Sequence, residues 1–95
     1  MAFGTGFSRP TGGAVTYYNE IELTNAYVEY SFGGNVNTIT VTNDSATDVA
    51  QVSYDGATLE GDLKNGETMT FNVNSKSSVY LKATTGGDNV RVWGW

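Results

Sequence analysis

The feature that most constrains this chain is its punctuation: apolar and polar residues alternate in short runs, and nearly every run stops at a glycine pair, an Asn-Gly, an Asp-Gly or a polar loop. Alternation with a period of two places one face of a strand on a core and the other in solvent, and no segment carries a helical period. Val15-Thr16-Tyr17-Tyr18 opens the series. Ala26–Phe32 follows and is ended by Gly33-Gly34; Val36–Thr42 is next, then the polar loop Asn43–Asp48. Val49–Tyr54 stops at Asp55-Gly56, Leu59–Leu63 reads as a short strand before the hairpin signal Asn65-Gly66, and Thr68–Asn74 puts Met69, Phe71 and Val73 on one face. Ser77–Ala83 turns inward Val79 and Leu81, and Gly86-Gly87 leads into Asn89–Trp95. Seven or eight strands at this spacing predict a single antiparallel β-sandwich, either a jelly roll or immunoglobulin-like, over residues 15–95.

Residues 1–14 read differently. They are rich in Gly, Ser and Thr, carry the sole proline, Pro10, and offer only Phe3 and Phe7 as large apolar groups, so the expectation is an extended N-terminal arm in front of the sandwich. With 95 residues in all, one core is expected, and a domain of this size gains from contacts with a partner.

Composition removes most catalytic designs. There is no cysteine and no histidine, which excludes disulfide frameworks, thiolate or imidazole metal sites, Ser-His-Asp and Cys-His nucleophile systems, and an imidazole base. The net charge is −5, and the five basic residues, Arg9, Lys64, Lys76, Lys82 and Arg91, are scattered, which argues against binding a nucleic-acid backbone. No run approaches the length of an apolar membrane span, and the first residues lack the pattern of a secretory signal, so the expected protein is soluble, made in the cytoplasm, and neither membrane-bound nor nucleic-acid-bound.

Four groupings carry potential chemistry. Glu20, Glu22 and Glu29 would make a glycosidase-like carboxylate pair only inside a walled cleft that separates their pKa values; otherwise they are a solvated strand face. Asp44, Asp48 and Asp55, with the Asn43 and Ser45 oxygens, would suit calcium if two loops converged, but the spacing is not that of an EF-hand, and side chains capping their own backbone are the simpler reading. Gly4-Thr5-Gly6 and Gly12-Gly13 are linker glycines rather than phosphate loops, since no helix or lysine follows in the required place. No catalytic residue, cofactor or metal is therefore assigned. The fourth grouping is aromatic. If Val90 and Val92 face the core, Trp93 and Trp95 point outward and form a platform for stacking sugar rings or anchoring a protein interface; the alternative buries Trp93 in the sandwich.

The run Thr42–Asp48 with Val52-Ser53-Tyr54-Asp55-Gly56, followed by Leu63–Thr68, Ser78–Lys82 and Val90-Arg91-Val92-Trp93-Gly94-Trp95, resembles small β-sandwich virion proteins of tailed bacteriophages, found in capsid decoration, neck or tail positions. The likeness spans roughly residues 36–95. It implies a non-enzymatic virion structural protein, foremost a capsid decoration or cement protein that binds and stabilises the capsid surface, made in the host cytoplasm. It also implies partners among other copies of the chain, as a homo-oligomer, and a larger virion protein such as the major capsid protein. Phe3, Phe7, Arg9, Trp93 and Trp95 are then the candidate interface residues. A neck or tail adaptor, a receptor-binding tail component, and a carbohydrate-binding module built on Trp93 and Trp95 are the competing readings.

Overall fold

In the computed structural model, residues 17–95 are described. The expected arm, with Phe3, Phe7 and Arg9, lies outside them, as does the expected 14/15 boundary. Six strands follow in chain order: β1 (Tyr17–Glu22), β2 (Val28–Asn43), β3 (Ala50–Ser53), β4 (Gly61–Leu63), β5 (Thr68–Ala83) and β6 (Asn89–Gly94). All pairings are antiparallel, in the order β1-β6-β2-β5-β3-β4.

The two 16-residue strands explain how one sheet makes a sandwich. Val28–Ser31 pairs with Ser78–Leu81, whereas Thr38–Thr42 pairs with Thr68–Asn72, and the register slips between Ser31 and Thr38. Gly33, in the first slip between Ser31 and Val36, has φ +88°, and Ser75, in the second opposite Asn37, has φ +55°. Such bulged positions bend a strand and add twist. The sheet therefore folds over: β1, β6 and the facing halves of β2 and β5 (36–43 and 68–73) form one layer, and the other halves (28–32 and 78–83) with β3 and β4 form the second.

This corrects the strand count read from the sequence. Ala26–Phe32 and Val36–Thr42 are two arms of β2, and Thr68–Asn74 and Ser77–Ala83 two arms of β5, because pairing with the neighbouring strand resumes after the bend instead of reversing. Asn65-Gly66 also differs from expectation: β4 and β5 are not neighbours, so this turn carries the chain from one layer to the other rather than closing a hairpin. The segments 23–27, 44–49 and 84–88 likewise cross between layers.

Inward residues of both layers meet in one apolar core: Ile21, Ile39, Val41, Val90 and Val92 from the first; Tyr30, Phe32, Ala50, Val52, Leu63, Val79, Leu81 and Ala83 from the second. Met69, Phe71 and Val73 share a face as expected and pack half-buried along the margin of that core. Strict alternation in β6 places Val90, Val92 and Gly94 inside and leaves Arg91, Trp93 and Trp95 outside.

Candidate binding face

The outward residues of the first layer fall into register as a grid. One row runs Glu20, Arg91, Thr42, Thr68; the next runs Tyr18, Trp93, Thr40, Thr70; in the third Trp95 lies beside Thr38, which faces Asn72. Aromatic residues occupy the β1–β6 side and hydroxyls the β2–β5 side. Residues i and i+2 of a strand share a face, so the runs Thr38-Ile39-Thr40-Val41-Thr42 and Thr68-Met69-Thr70 put every threonine out and every apolar side chain in.

On the hydroxyl side the rungs are bonded across the strands. Thr40 and Thr70 hydroxyls are 2.9 Å apart, those of Thr42 and Thr68 2.8 Å, and the Thr38 hydroxyl donates to Asn72 Oδ1 at 3.3 Å. On the aromatic side Trp93 is held from two directions. The Tyr18 ring packs on it at 5.3 Å between centroids, and the Arg91 guanidinium lies 5.4 Å from its ring. Arg91 is itself fixed by Asp44, through Nε to Oδ2 at 2.7 Å and Nη2 to Oδ1 at 3.0 Å. Tyr18 donates its hydroxyl to Glu20 at 2.9 Å, and burial together with that carboxylate raises the phenol pKa.

Trp95 is the exposed member, with 49% of its surface open. Its backbone is nonetheless pinned: its N–H donates to Thr38 O at 3.0 Å, and its carbonyl accepts from the N–H groups of Asn37 at 2.7 Å and Thr38 at 2.9 Å. Between the two indoles and Thr40, Thr42 and Thr68 lies a shallow open depression of ≈ 390 Å³. The outward orientation of both tryptophans is thus as the valine alternation required, and Trp93 does not enter the sandwich.

The carboxylates separate. Glu20 is on this face, Glu22 is exposed at the far end of β1, and Glu29 lies in the second layer, where it accepts the Ser78 hydroxyl at 2.7 Å. Asp44, Asp48 and Asp55 do not converge either. Asp55 accepts the N–H groups of Ala57 and Thr58 at 2.8 and 2.7 Å and the Ser53 and Thr58 hydroxyls, all of which hold its carboxyl far below the usual range. Asp48 accepts the hydroxyls of Thr84 and Thr85 and the N–H groups of Val49 and Thr85, which lower its pKa to about 2. These are loop-stapling carboxylates. Among the described residues, no three Asp, Glu, His or Cys side chains stand together as a metal-binding group.

Two features escaped the sequence reading. The threonine ladder was legible as alternation, but threonine reads as a generic strand residue until the register aligns it. Asp88, between the layer-crossing loops, was not singled out. It is 1% exposed, and neither carboxylate oxygen has a hydrogen-bond partner in good geometry. Burial raises its pKa, partly offset by the nearby Ser45 hydroxyl and Asn89 N–H, while the charges of Asp48 and Asp44 add to the rise.

No protein-family model matches the sequence, and no curated protein matches it. Solved structures do match the fold. A cupin-2 domain protein from Shewanella frigidimarina aligns with a TM-score of 0.54 at 8% identity, over 82% of this chain and 68% of its own. A protein from Neisseria meningitidis gives 0.56 at 12%, over 93% and 78%. Hydroxypropylphosphonic acid epoxidase from S. wedmorenis gives 0.53 at 13%, over 85% and 42%. At such identities the likeness is one of fold alone. It agrees with the all-β, antiparallel architecture described above.

That epoxidase has been solved with cobalt(II) and with iron(II). The present chain does not fit such a group. It has no histidine or cysteine anywhere, and between its layers stand Phe32, Ile39, Val41, Val79, Leu81 and Val92, hydrocarbon that offers a metal no donor atom.

Proposed function

We propose that this chain is a non-enzymatic virion structural protein of a tailed bacteriophage, a capsid decoration or cement protein that acts through its outer surface. One contrast carries the reading. The space between the layers is packed with side chains, while the outward face of β1, β6, β2 and β5 presents Trp93 and Trp95 beside a neutral threonine ladder. A sandwich filled inside and sticky outside is built to attach rather than to enclose a substrate. The family resemblance supplies the setting: a particle surface on which many copies sit, with Phe3, Phe7 and Arg9 of the N-terminal segment as further anchors. The negative net charge suppresses nonspecific association in the host cytoplasm before assembly.

The test is co-sedimentation with purified capsids of the parent particle, scored for copies bound per particle. Saturable binding at a copy number set by the capsid lattice, weakened in a variant lacking residues 2–13, supports the decoration reading. A few copies per particle would transfer the protein to the neck or tail, and no association would remove the virion role.

A further inference from the structure

The Trp–Thr face has dimensions and chemistry that specify a ligand class. Its three rows, about 7 Å apart along the strands, and its four strands, about 4.8 Å apart, span roughly 200 Å². That is about a quarter of the ~800 Å² per partner of a standard protein interface, and room for a short chain of linked sugar rings. A protein partner would need flanking surface; a short glycan would not.

Charge points the same way. The charges in its first row are Arg91, tied by two bonds to Asp44, and Glu20, which accepts from Tyr18, with Glu22 one step further along β1 at its exposed end. The depression itself is lined by two indoles and three threonines, so it offers an ionic partner nothing and an uncharged one no desolvation penalty from unpaired charge.

The hydroxyl pairs complete the match. In Thr40–Thr70 and in Thr42–Thr68 either oxygen can be the donor, so each pair retains one uncommitted proton and spare lone pairs, and can reverse direction to suit what sits on it. The complementary ligand is itself made of hydroxyls that both donate and accept, with an apolar face of C–H groups to lie on an indole. A pyranose is that molecule. Trp95, half exposed on a backbone pinned by three hydrogen bonds, is the stacking surface, and the braced Trp93 is its neighbour along the strand.

We infer that the outer face of the β1–β6–β2–β5 layer is a binding site for a neutral pyranose glycan, with the sugar face stacked on Trp95 and its hydroxyls bonded to Thr40, Thr42 and Thr68. The inference rests on the non-enzymatic, surface-binding half of the proposal above and is independent of its virion setting.

The test titrates the full chain with neutral hexasaccharides of glucose, mannose and N-acetylglucosamine in their β-1,4-linked forms, plus maltohexaose, each to about 10 mM, where even millimolar affinity registers. The readouts are tryptophan fluorescence and the two indole N–H resonances. At least one sugar is expected to shift both resonances, with Trp95→Ala weakening binding about tenfold or more and Thr40→Val several-fold, circular dichroism being unchanged. No shift with any of the four sugars, or equal binding by Trp95→Ala, overturns the site. The same Trp95→Ala protein is assayed for capsid binding. Loss of capsid binding without sugar binding makes the face a protein interface, which ends the glycan proposal and leaves the virion one standing; sugar binding by a chain that ignores capsids does the reverse.

Discussion

Gly94 lies against the Phe32 ring so closely that a Cβ on it would stand 2.7 Å from Phe32 Cε1 and 3.1 Å from Val36 Cγ1. The contact joins β6 to the bend of β2, and the absence of a side chain there lets Trp93 and Trp95 flank a strand position that is flush with the core. Phe32 is buried and its ring cannot withdraw into solvent. Gly94→Ala is therefore expected to destabilise the fold by about 1–3 kcal/mol, the usual range for overpacking a filled core. Denaturant unfolding of the variant measures it, and an unchanged midpoint would contradict the packing.

Asn43 is the polar counterpart. It is fully buried where β2 ends, and its Nδ2 donates to Asp48 O and Leu63 O, both at 2.9 Å, while Oδ1 accepts the Ser45 N–H at 2.9 Å. One amide thus ties the end of β2 to the following loop and to β4. Asn43→Ala strands two buried carbonyls and an N–H, each costing about 1–3 kcal/mol less whatever water recovers, so a loss of roughly 2–4 kcal/mol is expected. Thermal melts should show it as the larger of the two effects, and hydrogen exchange should quicken first in the 44–49 loop.

Acid and base act on loop carboxylates of the sandwich with opposite signs. Asp48 and Asp55 are held below their ordinary pKa of 3.8, so their stabilising contribution is present above that value and is lost as pH falls, for Asp48 through about 2. Asp88 is raised by burial and by the facing charges of Asp48 and Asp44, with Ser45 and Asn89 its polar neighbours, so its contribution is complete below the ordinary value and is lost as pH rises through the raised one. Melting temperature against pH is expected to peak in the mildly acid range. Asp88→Asn should remove the decline on the alkaline side of that peak and leave the acid limb in place; a variant whose whole profile parallels the parent's would refute the assignment.

What the residues announced and what they concealed have separate physical causes. Strand faces were legible because burial enforces alternation: Val90 and Val92 inside required Trp93 and Trp95 outside, whatever the topology. Chain reversal was not, because Gly33-Gly34 and the Asn74-Ser75 pair have the same local chemistry in a turn and in a bend, and only the resumption of pairing, Thr38 with Asn72, tells the two apart. Asn65-Gly66 misled for the same reason, since a tight turn does not say whether its flanking strands bond to each other. The candidate face needed registry between four strands, a non-local fact. Its two tryptophans could be named from sequence, whereas the threonines opposite them could not.

The bends themselves can be tested without touching the core. Gly33 has φ +88° with nothing within 4 Å of where a Cβ would stand, so Gly33→Ala introduces backbone strain and no crowding. Ser75 sits at φ +55°, its N–H donating to Asn37 Oδ1 at 3.2 Å, and already bears the cost of a left-handed conformation. Gly33→Ala is expected to destabilise by about 1 kcal/mol and Ser75→Gly to be neutral or stabilising, since glycine enters that region freely but surrenders up to about 1 kcal/mol of added unfolded-state entropy. Because each bend is relieved or strained within its own strand, the paired variant Gly33→Ala/Ser75→Gly should lie close to the sum of the two. A strong departure from additivity in chemical unfolding would mean that the bends yield together, as one hinge between the layers.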